Sequence, residues 1–187
     1  MTGHGHVDHS GENKRVALLI AVLALCLALA ETGAKGAQTE ALSRNVEASN
    51  LWAFFQARSI RQTTVRTAAE QLALAPEATE EDRRAATTRQ IQIWLATAQR
   101  WESEPATGEG RRELADRAKA AERVRDRSMS AYHMYEYGSA AFQVAIVIAS
   151  ASIVTGVPLL ALGGAVLGVI GIALAGLGFF APELIHL

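Results

Sequence analysis

Apolar and polar positions in this chain are sorted into long blocks. No Asp, Glu, Lys or Arg occurs in residues 16–30 or 137–182, whereas residues 31–136 carry 16 Lys+Arg and 16 Asp+Glu. The second uncharged run is 46 residues long. As one helix it would reach about 69 Å at about 1.5 Å per residue, against about 30 Å of bilayer hydrocarbon. It must fold back, and Thr155-Gly156-Val157-Pro158 is the place, because Gly and Pro together punctuate a helix. This predicts one span over 138–155 and another over 159–181. Tyr132, Tyr135 and Tyr137 stand just before the first of these, where amphipathic rings favour headgroup depth. A soluble buried hairpin would need more polar cover than a chain this small supplies.

The first run is shorter. Fifteen residues, 16–30, make about 22 Å of helix, less than the usual span of about 20 residues. Lys14-Arg15, a Leu-rich stretch and Ala28-Leu29-Ala30 before Glu31 also fit a cleavable secretory signal. The favoured reading is a retained span over 14–34, with Lys14 and Arg15 snorkelling toward the interface. A lipoprotein reading fails because Leu25 rather than a small residue precedes Cys26.

Between these runs, residues 35–137 are rich in Ala, Glu, Arg, Gln and Leu and carry almost no strand signal. Breaks at Pro76 and at Pro105-Ala106-Thr107-Gly108-Glu109-Gly110 predict helices at about 37–75, 77–103 and 111–137. In the last, Leu114, Ala118, Ala121, Val124, Ser128, Ala131 and Tyr135 recur at steps of three and four, a coiled-coil-like seam. Ile91, Trp94, Leu95, Ala98 and Trp101 form one stripe in the second. Leu51, Trp52, Phe54 and Phe55 wrap beyond one face of the first. The fold class is therefore all-α: an integral membrane protein with three transmembrane helices and an extramembrane helical hairpin between the first and second. Residues 1–13 form a polar, His-rich tail and 182–187 a short one.

These stripes are narrow and Ala-rich, so a lone hairpin buries little area, and pairing with copies of itself would widen the seam. Gly164, Gly168, Gly171, Ala175 and Gly178 share one face of the final span. Small residues let helix backbones approach closely in lipid. Two uses stay open: an oligomer contact, or packing on the other spans of the same chain.

Composition excludes more than it assigns. A formal net charge of −1 gives no footing for nucleic acid. A single cysteine, Cys26, excludes a disulfide framework and a thiolate metal cage. His4, His6, Asp8 and His9 could converge on a divalent metal, but the Gly- and Ser-flanked spacing is that of a solvated tail. His133 among tyrosines reads as an interface residue rather than a catalytic base. The sequence has no nucleophile elbow, phosphate loop or His-Glu-x-x-His motif. The uncharged runs 16–30 and 137–182 hold Gln143, Ser150, Ser152 and Thr155 but no carboxyl, amine or imidazole side chain, which argues against ion-coupled transport. No catalytic, cofactor or metal residue is assigned.

Ala48-Ser49-Asn50-Leu51-Trp52-Ala53-Phe54-Phe55-Gln56-Ala57-Arg58-Ser59-Ile60-Arg61 resembles the signature of an uncharacterised bacterial membrane-protein family, the DUF4337 type. Its members read A-S-D-x-W-A-Y-Y-Q-A-K-S-I-K, so Trp52, Phe55, Gln56, Arg58 and Ile60 carry the likeness. The His-rich start, early span, charged helices and closing pair of spans fit as well, over nearly the whole chain. The resemblance implies a retained first span and a cytoplasmic turn between the last two. It departs at that turn, where many members carry basic residues and this chain has none. It supplies no activity.

The expected role is a non-enzymatic, self-associating scaffold or interaction protein of a bacterial inner membrane, its partners the lipid bilayer and copies of itself. Lys14-Arg15 favours a cytoplasmic N-terminus and a periplasmic insert, while Arg123, Arg125 and Arg127 pull the other way. The alternative is a three-span channel or energy-transducing subunit, whose insert would be cytoplasmic.

Overall fold

In a computed structural model the structure describes residues 9–76 and 80–184, and among these all regular structure is helical. The elements are α1 (His9–Leu74), α2 (Glu81–Glu102), α3 (Arg111–Thr155), α4 (Pro158–Phe180) and a 3₁₀ turn over Pro182–Leu184. Helices α1, α3 and α4 are long and apolar enough to cross a membrane. His4, His6 and Asp8 lie outside the described residues, as do the side chain of His9, residues 77–79 at the expected start of the second charged helix, and residues 185–187.

The sequence divides each long helix where its composition changes, at 34–37 and near 138, yet α1 and α3 run through those points. Gly33 and Gly36 each cost about 1 kcal/mol of helix propensity relative to Ala, which weakens a helix without ending it. No proline or cap stands there to stop it. The hydroxyls of Thr32 and Thr39 donate to the carbonyls of Ala28 (2.8 Å) and Lys35 (2.9 Å), so neither competes for the backbone.

Chain contacts group into two compact units, residues 1–42 with 125–187, and residues 43–124. In the first, Leu23, Ala30, Phe142 and Ala145 form the core, with Leu19, Cys26, Ile146 and Leu167 against it. Its interior favours small side chains and its surface large ones. Leu25, Val147, Val154, Leu159 and Phe180 are all exposed. That inversion suits a lipid surround, where close backbone packing rather than expulsion of water joins helices.

α3 and α4 are joined by two residues. Gly156 adopts φ +71° and its N–H closes on the Ser152 carbonyl at 2.9 Å. A side chain is strained at this φ, which explains the glycine. The buried Ser152 hydroxyl donates to Val157 O at 3.0 Å, and Pro158 opens α4, where its missing N–H would have no partner.

The second unit is built from residues 43–74 of α1, α2, and 111–124 of α3. Its core is small: Leu51, Leu114 and Ala118, flanked by Trp52 and Phe55. Ala98 and Ala121 are also buried, while Leu95 and Val124, placed on the same stripes by period alone, are exposed. Glu81 and Asp82 in the first turn of α2 and Arg100 in its last complement the helix dipole.

Candidate functional site

The signature segment lies on α1 within the second unit, and three of its five marker residues turn inward. The Trp52 indole N–H donates to Glu122 Oε1 at 2.9 Å, and its ring meets Phe55 edge to face with centroids 5.4 Å apart. Arg58 is buried. One of its guanidinium nitrogens donates to Glu109 Oε2 at 2.7 Å and lies 3.9 Å from Glu104 Oε2, while its plane sits 5.4 Å from the Phe54 centroid. Its Nε is buried without a partner. Gln56 and Ile60 are exposed.

One turn beyond Arg58 a second knot forms. Gln62 donates through Nε2 to the Ala98 carbonyl at 2.9 Å and to Glu102 Oε2 at 3.1 Å. Arg111 donates to Gln62 Oε1 at 2.7 Å, to Glu102 Oε2 at 2.8 Å and through Nε to Ser59 Oγ at 2.9 Å, with its guanidinium 5.0 Å from the Phe55 centroid. Glu113 accepts from the Ser103 hydroxyl at 2.6 Å and the Glu104 N–H at 3.1 Å. Buried Gly110 leaves no room for a side chain beside Glu113 and Glu104.

The electrostatics follow. The Gln62 hydrogen bond, with Arg111 beside it, holds the Glu102 carboxyl below its usual value, against the opposing effect of burial. The Ser103 hydroxyl does the same for Glu113. Each carboxylate is therefore matched by donors from a different segment. Chemically the arrangement is a clamp. It ties α1, the end of α2, the 103–110 loop and the start of α3 to one another. Among the described residues no group of three His, Cys, Asp or Glu could hold a metal ion.

Sequence reasoning singled out Trp52, Phe55 and Arg58 but missed Gln62, Glu102, Glu109 and Arg111. Glu102, Glu109 and Arg111 lie 40 to 52 residues from their α1 contacts, and no local period links them. The one available signal was a charged and an amide residue, Arg58 and Gln62, four apart on the face of α1 that carries Leu51 and Phe55.

The glycine face of α4 belongs to the first unit. Gly164, Gly168, Gly171 and Gly178 are buried, and Ala175 packs on the core cluster. A Cβ on Gly164 would stand 2.8 Å from the Ala145 carbonyl oxygen; on Gly171, 2.8 Å from the Phe142 ring; on Gly168, 2.5 Å from Leu23 Cδ2. Gly138, not singled out from the sequence, completes the seam from the α3 side, 3.1 Å from the Gly171 carbonyl by the same measure. A Cβ on Gly164, Gly168, Gly171 or Gly178 would thus meet neighbours of the same chain. Gly176, by contrast, faces open space.

A family model described as a domain of unknown function matches residues 12–181. No curated protein and no solved structure matches the chain.

Proposed function

Because the chain belongs to the DUF4337 family, a domain of unknown function, no activity comes with its kinship, and we propose from its own residues a non-enzymatic, self-associating scaffold of a bacterial inner membrane. In this reading α1, α3 and α4 cross the bilayer and residues 43–124 form the module presented outside it. The observation that carries the reading is the clamp. The buried Arg58 and the half-buried Glu102, Glu104 and Arg111 are engaged with one another and with Gln62 and Glu109, an arrangement that fixes a shape rather than meets a substrate. Self-association draws on apolar surface that the fold leaves uncovered, beginning at Gly176. There an apolar groove of about 490 Å³ opens beside Cys26, Leu29 and Phe179.

Crosslinking in native membranes followed by mass spectrometry tests this. Self-crosslinks and recurrent protein neighbours are expected, and Gly176→Leu, whose Cβ has no neighbour within 4 Å and whose side chain would fill the groove, should deplete the self-crosslinks. A chain that stays monomeric in mild detergent, with crosslinks unchanged in Gly176→Leu, refutes self-association. An insert that proves cytoplasmic would favour the channel or energy-transducing subunit instead.

A further inference from the structure

On another flank of the first unit, α1 and α3 bound a cleft of about 500 Å³, lined by Glu31, Lys35, Tyr132, Glu136, Ser139 and Gln143 among others. That volume is in the range of about 300–1,000 Å³ found for small-ligand sites. Glu31 is the first charged residue after the uncharged run 16–30, and Glu136 is the last before 137–182. The fold thus brings both boundaries between apolar and charged sequence to one place.

The lining is mixed and incompletely paired. The Tyr132 hydroxyl donates to Glu136 at 2.8 Å, and His133 Nδ1 lies 3.9 Å from the same carboxylate. Among the described residues no ion pair joins Glu31 or Lys35 to a partner. Ser139 is only 7% exposed, and its hydroxyl has no hydrogen-bond partner. Several helical hydroxyls in this chain donate to the carbonyl four residues back, as Thr155 does to Ala151 at 2.8 Å. Ser139 does not, and a buried hydroxyl left unpaired is a site awaiting an acceptor.

We propose that this cleft binds the phosphoethanolamine headgroup of a membrane lipid, with the primary ammonium on the Glu31 and Glu136 carboxylates, the phosphate on Lys35, and the Ser139 hydroxyl donating to a headgroup oxygen. This rests on the bilayer reading above, which sets residues 31–35 and 132–136 at headgroup depth. The charges choose among headgroups. Two carboxylates against one ammonium repel a purely anionic headgroup such as phosphoglycerol. A quaternary ammonium cannot donate hydrogen bonds to carboxylates and calls for several aromatic faces, of which the lining has one, Tyr132.

The test is native mass spectrometry of the full chain in mild detergent, offered equal amounts of phosphatidylethanolamine, phosphatidylglycerol and phosphatidylcholine with identical acyl chains. Retention of one phosphatidylethanolamine per chain, preferred by about fivefold, is expected. The near-isosteric double variant Glu31→Gln, Glu136→Gln should abolish the preference with helical content unchanged, and Ser139→Ala should weaken it. Equal retention of the three lipids, preference for phosphatidylglycerol, or an unaltered preference in the double variant overturns the assignment. Binding of soluble phosphoethanolamine without any lipid preference would make the ligand a free phosphate ester and also overturns it. Release of the chain from vesicles by alkaline carbonate would refute the bilayer reading itself. A chain that stays in the membrane but shows no headgroup preference refutes only the cleft.

Discussion

Arg58 shows how much depends on one side chain in a module whose core is small. It contributes a charged pair with Glu109, a cation–π contact with Phe54 and buried stem area at once. Arg58→Ala removes all three and should destabilise the chain by about 1–3 kcal/mol, read as a lower midpoint of thermal loss of helical signal. Arg58→Met keeps the stem, and Glu109, roughly half exposed, can return to water. It should therefore cost clearly less than Arg58→Ala, since a well-packed apolar replacement of a buried ion pair is often nearly neutral. An equal loss in both variants would place the whole effect in the charge. The acids of the same clamp set the response to pH. Glu102 and Glu113 titrate below the ordinary 4.5 in the folded chain. As pH falls the unfolded chain takes up protons first, so their stabilisation is whole above about pH 5 and declines as pH drops through 4.5 toward their folded values. Glu102→Gln should flatten that acid limb in a midpoint-versus-pH series.

The helices obey different rules at their ends and along their sides, and this decides what could be seen in advance. The all-α class and the reversal at 155–158 were legible because Gly156 and Pro158 act through the local backbone. The continuity of α1 and α3 was not. A change from apolar to charged composition looks like a boundary, but backbone hydrogen bonding continues across it unless a proline or cap intervenes. Which glycines pack against which neighbour was equally hidden, because the answer lies on other helices. The neighbours now predict an order of effects. Gly164→Ala drives a methyl onto the Ala145 carbonyl, backbone that cannot swing aside, and should cost about 1–3 kcal/mol. Gly168→Ala meets only the tip of the Leu23 side chain, and the gain of up to about 1 kcal/mol in helix propensity can offset the shift. Thermal midpoints in detergent should fall for Gly164→Ala and stay near the parent for Gly168→Ala. The reverse order would contradict the packing of α4 on α3.

At the scale of the molecule, the partition of charge makes two claims of different strength. Insertion is the stronger. The first unit presents Leu18, Leu25, Leu29, Val147, Val169 and Phe179 at its surface, and extensive exposed apolar surface marks a membrane or partner contact. Alkaline carbonate should accordingly leave the chain in the membrane pellet. Orientation is the weaker claim, because it depends on a contest among few residues. Lys14 and Arg15 precede the first uncharged run and favour a cytoplasmic N-terminus. Arg123, Arg125 and Arg127 precede the second and favour the opposite, but they belong to a segment of more than 100 residues, whose charges count for less. The turn between α3 and α4 carries no basic residue to reinforce either side. A reporter placed in the exposed loop at Ala106 should therefore signal the periplasmic side in the parent chain. Lys14→Glu with Arg15→Glu should be enough to give mixed or inverted insertion, since nothing else near the N-terminal end of the first run opposes the three arginines. A reporter that is cytoplasmic in the parent, or a double variant whose orientation does not move, would mean that something other than these flanking charges sets the topology.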